Sequence, residues 1–409
     1  MMKIRRMIFW IHLTSGCLTG AVILFLSVTG CILAFEKQII AWQERGYRSA
    51  TPDAQASSLP LDRLVAIANS ATGKRPSAAI VRADARAPTE IDFGRDQRLF
   101  LNRYTGAVLG GGAIRTRLFF DTVTGLHRWF GASPKNRPAS RAVQGTVDLM
   151  LLLLIISGGI LWLPGRFHWQ TLRTGIFLRP GLVGRAREWN QHRVVGLWLV
   201  FPIAVITMTG AIMAFGWATN LLFFVTSSPL PEPARTATIT QHRSRPISEL
   251  KQPVSFVNMQ QVVDSAERQA VGWRILRIAV PDHEDRTMTV SIDFLDNGRP
   301  DQTVEMVADR RTGAILKSNT FSSHSLGSKL RLFTRSIHTG SAGGLAGQTA
   351  VGITSLGCCL LVWTGLSMFM RRLHRPEMLT RRTLRSETVK VQAQGTPERS
   401  IGSADIQLE

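Results

Sequence analysis

Histidines are the residues of this 409-residue sequence whose type and spacing best suit chemistry. Four of the nine lie at or just before apolar stretches: His12, His127, His192 and His338. An imidazole in or beside a bilayer needs a polar partner, because an unpaired polar group in hydrocarbon is costly. A haem iron with two axial histidines supplies such a partner. The four histidines are therefore candidate axial ligands of haem iron.

The positions of these histidines predict two pairs. His12 and His192 occupy matching positions of two similar apolar segments, so we expect them to share one haem b near one membrane face. His127 and His338 precede the other two apolar segments and would hold a second haem b near the opposite face. Two such haems would divide the ~30 Å hydrocarbon core into shorter electron transfers.

Small and basic residues near these histidines suggest further contacts with a porphyrin. Gly16 and Gly196 each follow a candidate ligand by four residues, and small residues let a helix approach its neighbour closely. Arg128 and Arg335 are candidate partners for haem propionates, since a guanidinium binds a carboxylate in a fork.

Other interpretations of the histidines remain open. His168 and His374 form a competing pair, although their strongly basic surroundings indicate a surface position. Any histidine at a helix end can also cap the helix or meet lipid head groups. We expect the remaining three to be exposed to solvent: His242, His283 and His324.

Four segments are apolar over the roughly 20 residues that a membrane-crossing helix needs. These predicted spans are residues 7–35, 143–163, 193–217 and 345–370. Two long polar segments, a short loop and a basic tail with a disordered end complete the chain: 36–142, 218–340, 164–192 and 371–409. The predicted fold class is a membrane all-α four-helix bundle with two α+β modules.

The chain also repeats internally. His12, Gly16 and Thr29-Gly30 in the first span match His192, Gly196 and Thr209-Gly210 in the third at identical spacings. Each long polar segment predicts a helix, near 61–72 and 259–270, followed by short antiparallel strands. The simplest explanation is a duplicated unit of span, module and span.

The net charge of +21 fits a membrane protein better than a nucleic-acid-binding one. Basic residues bracket the apolar segments, where they attract anionic lipid, and no nucleic-acid motif is present. Lys and Arg concentrate in the N-terminus, the short loop and the tail, which predicts a cytoplasmic side for all three. Both modules would then be periplasmic, on a bacterial inner membrane. A cleaved signal peptide at the start is an alternative that the long apolar run disfavours.

Several enzyme classes are excluded or disfavoured by what the sequence lacks. It has no Gly-rich dinucleotide fingerprint in a βαβ pattern and no hydrolase or P-loop motif. The loop at 164–192 is too short for a flavin or nicotinamide domain, so we expect a quinol or a separate reductase to donate electrons. A transporter is disfavoured because we expect no buried acidic or basic residue in the central turns of the spans.

Motifs spread over the whole chain resemble those of one family. They are His12, Thr29-Gly30, Gly125-Leu126-His127, Gln191 to Trp198, Thr209-Gly210, Ile337 to Gly340 and Thr364-Gly365. Over residues 5–375 the sequence resembles the PepSY-associated transmembrane family, which includes iron-regulated membrane proteins and ferrisiderophore reductases. The resemblance implies two periplasmic PepSY modules, two b-type haems and reduction of a ferric siderophore. Its alternative implication is a non-catalytic protein whose modules bind a peptidase or another partner.

Overall fold

Four long apolar helices form the body of the protein. The computed structural model describes residues 2–48, 56–94, 97–164, 169–230, 258–282, 285–296 and 298–373. The four helices are α1 (Met2–Leu33), α5 (Arg137–Trp162), α7 (Gly184–Ala214) and α11 (Gly344–Leu373). Each belongs to a segment long and apolar enough to cross a membrane, so the described part of the chain has four apolar helices that fit the predicted membrane helical bundle.

The four helices pack in a ring. Helix α1 contacts α5 and α11, and α7 contacts the same two helices from the other side. Ile23, Val147, Ile203 and Cys358 are buried at the centre, one from each helix. Many large apolar side chains on the outer surface are exposed, such as Phe201, which is 75% exposed. Outward-facing apolar residues around a small packed core fit a helix bundle in lipid.

Shorter helices extend or connect the spans. They are α2 (Glu36–Glu44), α3 (Leu61–Thr72), α4 (Ile114–Trp129), α6 (Trp169–Ile176), α8 (Gly216–Val225), α9 (Met259–Gln269) and α10 (Leu326–His338). Helix α7 ends three residues before the predicted limit of 217, because Phe215 is extended and α8 begins at the next residue. Helices α4 and α10 each lie against the bundle, α4 on α1 and α5, and α10 on α7 and α8.

The strands join into one antiparallel sheet rather than two. They are β1 (Ala78–Arg82), β2 (Thr89–Asp92), β3 (Arg98–Leu101), β4 (Val108–Gly110), β5 (Ile275–Ala279), β6 (Thr287–Asp293), β7 (Thr303–Asp309) and β8 (Ile315–Asn319). The order is β4-β3-β2-β1-β5-β6-β7-β8, with β1 paired to β5 along its whole length. The sequence predicted each strand in its own module but not this pairing, which depends on contacts between distant segments.

A single hydrophobic core lies under this sheet. Leu61 and Leu64 of α3 and Val262 of α9 are buried against residues of β1, β2, β3, β5, β6 and β7. Each of the two helices also bonds the first backbone amides of the other. Asp62 of α3 accepts hydrogen bonds from the Met259 and Gln260 amides, at 2.8 and 3.0 Å. In return the Gln260 side chain accepts from the Leu61 amide at 3.0 Å. The two modules therefore form one domain.

Helix α2 connects this domain to the bundle. Glu44 at its end accepts two hydrogen bonds from Arg117 of α4, at 2.9 and 2.6 Å. Tyr47 stacks on Phe100 of β3, with ring centroids 5.0 Å apart. Because α2 continues α1, the sheet lies at the end of the bundle where α1 finishes.

Candidate functional site

Two histidines come together at the end of the bundle far from the sheet. We call His12 of α1 and His192 of α7 the distal pair; their ring centroids are 6.4 Å apart. His12 Nδ1 lies 2.9 Å from the hydroxyl of Ser157 on α5. His192 Nδ1 lies 3.0 Å from the hydroxyl of Thr364 on α11 and 3.1 Å from the Leu361 carbonyl. All four long helices thus contribute to the distal pair.

The other two candidate ligands meet at the end of the bundle near the sheet. His127 of α4 and His338 of α10, here the sheet-side pair, also have ring centroids 6.4 Å apart. His127 Nδ1 lies 2.8 Å from the hydroxyl of Thr29 on α1. His338 Nδ1 lies 3.0 Å from the hydroxyl of Thr209 on α7 and 3.0 Å from the Ile206 carbonyl. Both pairs expected from the sequence are therefore present as close pairs of side chains.

The hydrogen bonds fix which ring nitrogen carries the proton. A carbonyl oxygen only accepts, so Nδ1 of His192 and of His338 must donate. The hydroxyls of Ser157 and Thr29 each donate to a carbonyl one turn earlier in their own helix, at 2.7 and 2.8 Å. Having no second proton, they accept from His12 and His127. Each neutral imidazole therefore keeps Nε2 unprotonated, which is the form that binds a metal.

The spacing of each pair suits one metal ion between two rings. With metal–nitrogen bonds of about 2 Å, two imidazoles on opposite sides of one metal have ring centres roughly 6 Å apart. Both observed separations are 6.4 Å. The chemistry and spacing of the donors thus fit two axial ligands of haem iron at each pair. Among the described residues, no three His, Cys, Asp or Glu side chains group in a way that could hold a bare metal ion.

A repeated dipeptide supports the histidine rings. Every hydroxyl that bonds a histidine is followed by glycine: Thr29-Gly30, Ser157-Gly158, Thr209-Gly210 and Thr364-Gly365. At three of these glycines an added Cβ would lie 3.2–3.4 Å from a ring Cε1 atom, namely Gly158 on His12, Gly30 on His127 and Gly365 on His192. The glycine lets the ring approach the helix on which its hydroxyl partner lies. Sequence reasoning noted three of these dipeptides without assigning them a role, and it missed Ser157-Gly158.

The glycines predicted to contact haem face neighbouring helices. A Cβ on Gly16 would lie 3.7 Å from Leu154 of α5, and one on Gly196 would lie 3.7 Å from Leu361 of α11. These are ordinary van der Waals distances, at equivalent places in the two halves. A role of Gly16 and Gly196 in haem packing remains a prediction.

Arginines cluster beside the sheet-side pair. Arg128 follows His127. Arg335, Arg141 and Arg137 are close enough for their positive charges to repel its guanidinium. Arg128 and Arg137 both lie over the Trp129 ring, with guanidinium carbons 4.4 and 4.3 Å from its centroid. The structure therefore places the predicted propionate partners, Arg128 and Arg335, near each other and adds two arginines that the sequence reasoning had not singled out.

A comparable basic group lies beside the distal pair. Arg193 follows His192, and the charges of Arg5 and Arg179 act on it. Arg193 donates to the Trp162 carbonyl at 3.2 Å, and Arg5 donates to the Leu161 and Leu163 carbonyls at 3.0 and 2.9 Å. Sequence reasoning used Arg5 and Arg179 for membrane topology alone and noted Arg193 only as part of the motif from Gln191 to Trp198.

The other histidines add no described site. His324 is exposed, as expected. His168, His374, His242 and His283 lie outside the described residues, so the competing pair His168 and His374 remains a prediction.

One acidic residue near the start of the second predicted span was not singled out by the sequence reasoning. Asp148 lies in the apolar part of α5, and its Oδ2 atom is buried. Asp148 was included in the second predicted span because ten of the eleven residues from 147 to 157 are uncharged.

Comparison with known families agrees with the motifs. The sequence pattern of the PepSY-associated TM region matches residues 9–372, which is nearly the whole chain and includes both histidine pairs. No curated protein matches the sequence. The chain belongs to the family of proteins with a PepSY-associated transmembrane region.

Proposed function

We propose that this protein is an inner-membrane electron-transfer protein that holds two haem b groups and reduces a ferric siderophore at its periplasmic side. The observation that carries the proposal is that the four histidines form two pairs, each with ring centroids 6.4 Å apart and with every Nδ1 atom in contact with a hydroxyl. When bound, haem b would supply one-electron exchange between iron(II) and iron(III). His12 and His192 would hold one group, and His127 and His338 the other.

The hydroxyl partners would set the ring orientation and the basicity of each ligand. A hydrogen bond from Nδ1–H raises the electron density on Nε2 and keeps the ring from turning. Because these partners come from a different helix in every case, packing of the bundle would itself position the ligands. The arginines beside each pair would bind the propionates, with Arg128 and Arg335 at the sheet-side pair.

The location of the two pairs supports a path across the membrane. His12 and Thr29 lie on one helix seventeen residues apart, and His192 and Thr209 are separated by the same number on another. That interval corresponds to about 25 Å along a helix axis. Electrons would enter near the distal pair from a quinol or a separate reductase and leave near the sheet-side pair. The domain that carries the sheet would then be periplasmic, as the distribution of Lys and Arg predicts.

The ligand for the periplasmic side would be an anionic or oxygen-rich ferric chelate. Reduction to iron(II) loosens such a chelate, because oxygen donors bind iron(III) far more tightly. A field from the arginines at 128, 137, 141 and 335 would attract an anionic complex toward the sheet-side pair. A trans-membrane carrier remains disfavoured, because the buried carboxyl oxygens of the described spans, on Asp148 of α5 and on Glu188 near the start of α7, are too few to line a path.

The test is reduction of ferric citrate, an anionic chelate with oxygen donors, by the pre-reduced protein. Purified protein in lipid nanodiscs is reduced with a stoichiometric amount of dithionite and mixed with the chelate and an iron(II)-trapping dye. Reoxidation of the haem bands together with formation of the coloured iron(II) complex is expected, and His127→Ala should lose it. Reduced haems that stay reduced would contradict the proposed activity. A colourless protein would favour the non-catalytic alternative, in which the domain binds a peptidase or other partner.

A further inference from the structure

Asp148 is an acidic residue inside the bundle, and no salt bridge to it is found among the described residues. It lies on α5 and faces α7, where a Cβ added to Gly210 would be only 2.8 Å from its Oδ2 atom. Oδ2 is buried and has no hydrogen-bond partner among the residues that the structure describes. An acidic side chain in this position costs free energy, because hydrocarbon does not solvate charge.

The position of Asp148 links it to one histidine of the sheet-side pair. The residue it packs against, Gly210, directly follows Thr209, whose hydroxyl accepts from His338. The equivalent place in the other half is occupied by Ser355 of α11, whose hydroxyl lies 3.5 Å from a Cβ built on Gly30. Gly30 directly follows Thr29, the partner of His127. A carboxylate therefore stands on the His338 side, where the His127 side has a neutral hydroxyl.

We infer that the carboxylate of Asp148 lowers the reduction potential of the haem b held by His127 and His338, relative to the one held by His12 and His192. This inference rests on the proposed function. An ionised Asp148 would stabilise iron(III) over iron(II), which carries one positive charge fewer. The effect is large inside a bundle, since charges interact far more strongly there than in water. A lower potential makes the sheet-side group the stronger reductant, which reduction of a tight ferric chelate requires.

If Asp148 had only a packing role, the expected effect of its replacement on the reduction potential would be different. Asn has nearly the shape of Asp, so Asp148→Asn preserves the contact with Gly210 and removes only the charge. If Asp148 merely filled space, the potential would not move. Since removal of a buried unpaired charge relieves a desolvation cost, the variant should be at least as stable as the parent protein.

The experiment measures potentials in proteins that retain one haem. Asp148→Asn is introduced into His12→Ala, which should keep only the sheet-side group, and into His127→Ala, which should keep only the distal group. Spectroelectrochemical titration in nanodiscs at pH 7.5 gives each midpoint. In the first background we expect at least a tenfold shift of the reduction equilibrium toward iron(II), which is about 59 mV for one electron. In the second background we expect a shift several times smaller.

Two further variants act as controls. Asp148→Ser installs the residue type of the equivalent position and should raise the sheet-side midpoint as Asn does. Ser355→Ala changes the equivalent neutral residue and should leave it unchanged. Equal midpoints with and without Asp148, or a shift that is as large at the distal group, would overturn the inference, and so would loss of haem from both Asp148 variants. Absence of haem from the parent protein would instead contradict the proposed function.

Discussion

The Thr29 hydroxyl lies 2.8 Å from Nδ1 of His127, a residue 98 positions later in the chain and on a different helix. Thr29 is also on the same helix as His12, which belongs to the opposite pair. Helix α7 repeats this arrangement with His192 at one pair and Thr209 at the other. Helices α1 and α7 therefore each supply a histidine to the distal pair and a hydroxyl that bonds a histidine of the sheet-side pair.

This arrangement predicts that replacing either histidine of a pair removes the same haem. Replacing either His12 or His192 with Ala should reduce the haem count from two to one, and both variants should lose the same group. Replacing His127 or His338 should remove the other group. Pyridine haemochrome assays with low-temperature optical spectra would measure this in purified variants. His324→Ala is the control, because His324 is exposed and should not alter the count. If any of the four variants retained two haems, the histidine replaced in that variant would not be a haem ligand.

The hydroxyl supports should affect how tightly haem is held. Thr209→Val keeps the shape of the side chain but removes one of the two acceptors of His338 and leaves the Ile206 carbonyl. Loss of an outer partner typically weakens metal-site affinity roughly 10- to 100-fold. Haem transfer to excess apomyoglobin should therefore become faster. Thr207→Val is a matched control, since Thr207 is buried on the same helix and donates only to the Ile203 carbonyl at 2.7 Å. Equal transfer rates for the two variants would contradict the assigned role of Thr209.

Two adjacent glycines allow a sharp test of the ring contacts. A Cβ on Gly158 would lie 3.2 Å from the His12 ring, whereas one on Gly159 would have no atom within 4 Å. Gly158→Val should push His12 away and remove the distal haem, while Gly159→Val should retain two haems. Spectra and haem counts of the two proteins would decide this. The idea fails if both variants bind the same amount of haem.

The shared core predicts that the two modules unfold together. Leu276 of β5 is fully buried, so Leu276→Ala should cost about 2–5 kcal/mol of domain stability. Leu316→Ala is the control, since that side chain is 59% exposed and its loss should change stability by less than about 0.5 kcal/mol. Hydrogen exchange should show strands β2 and β6 losing protection together in Leu276→Ala. Loss confined to residues 258–319 would indicate two independent modules.

The sequence predicted local features well and long-range ones poorly. The limits of α3 agree with the predicted 61–72, because helix periodicity depends on neighbouring residues. The sequence also predicted which histidines form each pair, because His12 and His192 match in two similar spans and His127 and His338 each precede one of the other two. The pairing of β1 with β5 and the burial of Asp148 were missed, because both depend on which distant segments pack together. Inner-membrane orientation, the duplication and the bound haems remain predictions.

The most direct test of the central claim is the haem content of the wild-type protein. The protein should be expressed with added haem precursor, purified in mild detergent, and assayed by reduced-minus-oxidised spectroscopy with a pyridine haemochrome count. We predict two haem b per chain, each with the optical spectrum of low-spin iron bound by two histidines. A correctly inserted, monodisperse protein without haem would contradict the account, and a single haem would leave one of the two histidine pairs without its assigned role.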